Sequence, residues 1–229
     1  MLEDGIVKKY LDDHCPDASL RLCRYKAQLP NRADAFFWEE ELFQKLGGFD
    51  GMHDEMRRIA LESLADYPVL QLKSAIGETA KQFTMVETGA GVVKWVMDSY
   101  YSIKNHAPAA LPAMDASRQH RTGIDFTAIN QLQVPLAYLA MVLLPVMIWF
   151  GLRRDGYSDL GELAAVTTLA LFGNAAVFGI FATAHNRYGA RMVWLAPLVV
   201  MLVLIRAYER RRFKVEIPGL PHQQGHARL

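Results

Sequence analysis

The sequence predicts an all-α protein in which a helical water-facing domain is followed by three transmembrane helices. Two observations carry this. Most of the acidic residues lie in residues 1–125, which read like an ordinary soluble protein, whereas Phe126 to Tyr208 holds long runs without any charge. Within the first part, apolar residues recur at helical spacing rather than alternating. The expected organisation is a helical extramembrane domain over 1–112, a linker over 113–125, a three-helix transmembrane region over 126–208 and a basic tail over 209–229. A domain of roughly a hundred residues is marginal alone and gains from a cross-link or a membrane to lean on.

The first span is read from Phe126 to Leu152, with its apolar centre at Leu136 to Phe150. Pro135 and Pro145 lie inside it, and neighbouring groups can satisfy the carbonyls they free, so a kink is expected rather than a break. Leu163 to Ala184 is the second uncharged run and contains Gly173, Asn174 and Gly179. The third, Met192 to Ile205, has fourteen uncharged residues. At about 1.5 Å per residue that helix is short for a bilayer, so it crosses only if Arg191 and Arg206 snorkel outwards. The other reading is two spans followed by an interfacial helix.

Basic residues set the direction. Arg153 and Arg154 follow the first span, and Arg206, Arg210, Arg211, Arg212 and Lys214 follow the third, which makes that side cytoplasmic. Arg118, Arg121, Arg187 and Arg191 fall on the other side, so the bias favours an exported N-terminal domain, in a bacterium the periplasm. Yet MLEDGIVKKYLDDH is charged and has no apolar run of signal-peptide length. The preferred expectation is that further spans precede Met1; the other is that the orientation rule fails here.

In the water-facing part, residues 4–11 predict a helix ending near Cys15-Pro16. Cys15 and Cys23 are the only cysteines. Their spacing is too wide for a redox CxxC, and outside the cytoplasm they read as a disulfide; the alternative is two small buried thiols. A metal held by both with His14 lacks a fourth donor in reach. Asp34 is read as capping a helix from Ala35 to Leu46 that ends at Gly47-Gly48. Phe36, Phe37 and Trp38 at its start are expected to divide between core and rim, or else to touch a membrane interface. From Met52, the residues Met56, Ile59, Ala60, Ser63 and Leu64 read as one buried face, with Glu55 and Glu62 elsewhere on that helix. After Asp66-Tyr67-Pro68, the residues Val69, Leu72, Ile76, Ala80 and Phe83 keep the same spacing. Val92, Val93, Val96, Met97, Tyr100 and Ile103 resume it beyond Gly89 and Gly91.

No phosphate loop, dinucleotide fingerprint, HExxH or GxSxG is present, so no cofactor is expected and enzymatic chemistry is left open. A net charge of +1 without a basic stripe argues against nucleic acid. The acids Asp12, Asp13, Glu39, Glu40 and Glu41 read as a solvated face ahead of a general acid or base. The most chemically loaded stretch is His185 to Arg191, between the second and third spans. His185, Arg187, Tyr188 and Arg191 suit a lipid headgroup or other phosphate, and equally suit interfacial anchors of a tight turn. If the third helix begins early, Arg187 and Arg191 share one face. Asn174 beside Gly173 reads as helix-to-helix bonding.

The segments DGIVKKYLDDHCPDASLRLCRYKAQLP, DAFFWEEELFQKLGGF and HNRYGARMVWLAPL together resemble the C-terminal half of an uncharacterised family of alphaproteobacterial polytopic inner-membrane proteins. The resemblance implies a bacterial inner-membrane location, and a membrane-embedded half ahead of the segment matching Leu2 to Leu11. It implies no catalytic residues. Two functions follow as expectations. One is a non-catalytic module, or a fragment of a larger polytopic protein, contacting membrane lipid and an envelope protein partner. The alternative is the C-terminal half of a glycosyltransferase-like enzyme acting on a lipid-linked substrate.

Overall fold

The computed structural model describes residues 1–39, 41–94, 97–154 and 156–216, and among them no strand forms. The chain divides into two compact units, Met1–Met85 with Gly173–Gly189, and Val86–Phe172 with the chain from Ala190 onwards.

The first unit begins with α1, Ile6–His14, entered through Gly5 at φ 71 and left at an extended Cys15 before Pro16. Cys15 and Cys23 form a disulfide with Cα atoms 5.7 Å apart. Closing so short a loop contributes about 2–3 kcal/mol by restricting the unfolded chain, and it fastens the end of α1 to a 3-10 turn over Arg21–Gln28. Where one helix was expected from Ala35 to Leu46, the chain makes a π-helical turn, Ala35–Glu39, and then α2, Glu41–Lys45. The wider turn lets the adjacent rings of Phe36 and Phe37 both reach Phe43, at 5.3 and 5.0 Å, which successive residues of a regular helix would not do. Asp34 accepts from the Ala35 amide at 2.9 Å and pairs with Arg32. The three aromatics divide as expected: Phe36 is 3% exposed, Phe37 half-buried and Trp38 76% exposed.

Gly47 and Gly48, both at positive φ, turn the chain into α3, Gly48–Asp66, and Pro68 opens α4, Pro68–Thr84. The core of this unit gathers Ile6, Tyr10, Leu11, Leu20, Phe43, Met52 and Ile59. The buried face of α3 differs from the expected one. It runs Met52, Glu55, Ile59, Ser63, while Ala60 and Leu64 are exposed. Glu55 is the cause: its carboxylate accepts from the Leu22 amide at 2.8 Å and from Arg21 Nε at 3.3 Å, capping the 3-10 turn from inside. Arg58 donates to Glu62 at 2.9 Å, Ser19 Oγ at 2.7 Å and Asp17 at 3.2 Å, while the Tyr10 hydroxyl donates to Glu62. Burial, reinforced by Glu62, pushes the Tyr10 phenol up to about 12. Glu62 is held below the usual range, first by the Tyr10 hydroxyl and then by Arg58. On α4 the expected apolar stripe is also not buried: Val69 is 79% exposed, Leu72 62% and Ile76 62%, and the buried positions are Thr79 and Gln82.

The second unit opens with Val86 to Thr88, outside any helix or strand. Asn130 pairs with both backbone groups of Thr88, at 2.9 and 3.0 Å, and Gln133 Nε2 donates to the Val86 carbonyl at 3.1 Å. The side-chain amides near the start of α8, Thr127–Arg153, thus satisfy this backbone as a neighbouring strand would. The helix expected to resume at Val92 starts later, as α5, Met97–His106; Val92, Val93, Met97 and Tyr101 are exposed, and Trp95 and Val96 lie outside the described residues. The stretch read as a linker carries two short helices, α6, Leu111–Ala116, and α7, Arg118–Arg121, the latter capped by Ser117 Oγ.

Among the described residues, three helices are long and apolar enough to cross a membrane. The first is α8, Thr127–Arg153, continuous through Pro135 and Pro145. The second is α9, Ser158–Phe181, which begins in the second unit and whose end from Gly173 belongs to the first. The third segment, Asn186–Arg212, comprises the short α10, Asn186–Ala190, a turn over 191–194 and the part of α11, Leu195–Glu216, that reaches Arg212. It exceeds the fourteen uncharged residues because α11 keeps Arg206, Arg210, Arg211 and Arg212 within the helix. In the second unit Arg206 pairs with Asp159 at 3.0 Å, and Arg210 donates to the Gly156 carbonyl at 2.8 Å while lying over the Tyr157 ring. Arg153 and Arg154 lie over Trp149 and Phe150. Of the basic tail, residues 217–229 and the side chain of Lys214 lie outside the described residues.

Candidate functional site

The turn between the second and third spans is built within the first unit. Helix α9 ends at Phe181, and in residues 183–185, outside any helix or strand, the His185 carbonyl accepts from the Tyr188 amide at 3.1 Å while the His185 amide takes a side-chain partner. The side-chain amide of Gln82, 1% exposed on α4, supplies one: it accepts from the His185 amide at 2.8 Å and donates to the His185 carbonyl at 3.1 Å. Two glycines allow this approach. A Cβ on Gly179 would stand 2.6 Å from the Glu78 carbonyl oxygen, and one on Gly189 would fall on the carbonyl of Met85.

Tyr188 is held from several sides. Its ring stacks on Phe178 at 4.1 Å, its carbonyl accepts from Asn174 Nδ2 at 3.2 Å, and its hydroxyl accepts from Arg187 at 3.0 Å. The guanidinium of Arg187 lies 4.9 Å from the same ring and remains exposed. Asn174 therefore fixes the turn, and Gly173 beside it meets nothing within 4 Å, so close backbone packing belongs to Gly179 instead. His185 sits near Asp34, whose carboxyl is held below its usual range mainly by Arg32 and in smaller part by His185. Arg191 follows the end of α10 and belongs to the second unit; it is exposed, and its carbonyl accepts from Trp194 Nε1 at 2.8 Å. Of the four expected site residues, the structure brings His185, Arg187 and Tyr188 into one built turn.

The other candidates are occupied structurally. Both thiols are in the disulfide, and His14 stacks on Tyr10 with Nε2 3.5 Å from Asp66. Asp12 pairs with Lys26, Asp13 accepts from Tyr67 at 2.7 Å and Lys9 at 2.9 Å, and Glu41 pairs with Lys45. Glu40 and the side chain of Glu39 lie outside the described residues.

Protein-family models, curated proteins and solved structures give no match to this chain. Sequence reasoning missed Gln82 because a glutamine in an amphipathic helix carries no positional signal, and its partner lies 103 residues away.

Gln82→Glu is expected to destabilise the protein by about 2–4 kcal/mol at neutral pH, more than Gln82→Ala. The substitution removes the donor to the His185 carbonyl and sets a buried carboxylate against it. Burial raises the folded-state pKa of the new acid, so the deficit is small in acid and grows as pH rises above its unfolded value of about 4.3. Thermal melts of detergent-purified protein at pH 5 and pH 8 check this; equal deficits at both would contradict it.

Proposed function

We propose that this chain is a non-catalytic, membrane-anchored module of a bacterial envelope, seated in the inner membrane with its N-terminal domain in the periplasm and its tail in the cytoplasm. The helical domain meets an envelope protein, and the turn of His185, Arg187 and Tyr188 meets anionic lipid, with Arg191 a further cation at the head of the third span. The observation that carries this reading is the Cys15–Cys23 disulfide, since cytosolic thiols are kept reduced and exported ones pair. The arginines at the ends of α8 and α11 support the same direction. An exposed guanidinium braced on a tyrosine also suits a headgroup phosphate, because its planar fork can hold two oxygens at once.

Alkylation of intact cells with a mass-tagged maleimide is expected to add nothing before reduction and two tags after it. Full tagging without reductant would remove the domain from an oxidising compartment. Native mass spectrometry of purified protein is expected to show less retained anionic lipid in Arg187→Lys than in the wild type, and less again in Arg187→Ala. Equal lipid in all three would reduce the turn to an anchor.

A further inference from the structure

The stripe Val69, Leu72 and Ile76 on α4 follows i, i+3, i+7 spacing yet is left bare, and that is the pattern of a helix that buries one face. Ala80 and Phe83 extend it, and Lys73, exposed, borders it. Within the same unit α4 is pressed backbone to backbone on Gly179, two residues from the end of the second span, so α4 crosses that span at its mouth. A helix held there stands at the depth of the headgroups. Its apolar side needs an apolar medium and a bordering lysine reaches outwards, which is how amphipathic helices lie in an interface.

We propose that α4 is an interfacial helix whose Val69, Leu72 and Ile76 side chains enter the boundary between headgroups and acyl chains. The domain is thereby seated on the bilayer through α4 as well as through the spans. This depends on the second span entering the membrane and not on which face the domain occupies.

The test uses the full chain in nanodiscs of phosphatidylcholine and phosphatidylglycerol, with the Cys15–Cys23 disulfide intact. Single cysteines at Leu72→Cys, Ile76→Cys and, as a control off the stripe, Gly77→Cys carry an environment-sensitive fluorophore; Gly77 has nothing within 4 Å. Quenching by spin-labelled lipid is expected to be about threefold stronger at 72 and 76 than at 77, and quenching by aqueous iodide the reverse. The two stripe positions report independently, so loss of one variant leaves the test intact. Strong iodide quenching at all three would place the stripe in water and overturn the proposal. Protection of 72 and 76 from both quenchers would mean that protein covers the stripe, and would overturn it equally; cross-linking through unlabelled Leu72→Cys would identify that protein as a second copy.

Discussion

Gly189→Leu is expected to destabilise the protein by about 3 kcal/mol, a fall of roughly 6–12 °C in Tm for a chain of this size. A Cβ at this position falls on the Met85 carbonyl, and backbone cannot swing aside as a side-chain end can. Either α4 or the turn must retreat, and the paired hydrogen bonds between Gln82 and His185 open with it. The stack of Tyr188 on Phe178 lies one residue from the substitution and should loosen too. Gly77→Ala is the control. That glycine lies within α4 with open space around it, so alanine should stabilise by about 0.5–1 kcal/mol through helix propensity alone. Differential scanning fluorimetry in detergent checks both, and two variants that melt together would mean that the close approach at Gly189 contributes nothing to stability.

Gly161→Leu should have a comparable effect on the second unit. Gly161 near the start of α9 faces Gly151 near the end of α8, and a Cβ on Gly161 would stand 2.7 Å from the Gly151 Cα. Small residues that let two backbones touch drive association of helices in lipid, where burial of apolar surface supplies no force. Leucine at this contact pries the two helices apart, at a cost of about 3 kcal/mol. Gly173→Leu on the same helix meets nothing within 4 Å and should change Tm little. The contrast between glycines of one helix separates packing from propensity. If Gly161→Leu and Gly173→Leu unfold alike, the glycine contact contributes nothing specific.

The parts of this fold that were legible in the sequence are those where the surroundings forbid a residue type. Lipid excludes charge, so uncharged runs announced all three segments long and apolar enough to cross a membrane, including the third, whose arginine-rich end simply continues the helix. Three adjacent aromatics cannot share one environment, and Phe36, Phe37 and Trp38 divide accordingly. Faces were harder. Periodicity scores side chains by polarity and does not register a backbone group in need of a partner. Glu55 is buried because the Leu22 amide requires an acceptor, and Gln82 because the His185 amide does. Turning those polar residues inwards leaves Leu64, Val69, Leu72 and Ile76 outside. The apolar spacing on α4 was read correctly as a pattern, but it marks a face that the protein itself does not cover. Of the candidate site, the loaded composition of residues 185–191 was visible. Its supports, Gln82 on α4 with Asn174 and Phe178 on α9, were not, since no local motif links such distant residues.

In the proposed topology three crossings anchor the domain, with its N-terminal part outside the cytoplasm. Paired reporters, one active only in the cytoplasm and one only outside it, fused after Leu111, Asp155 and Leu229, test it most directly. The outside reporter is expected to be active at Leu111 and the cytoplasmic reporter at Asp155 and Leu229. A cytoplasmic reporter active at Leu111 would contradict it.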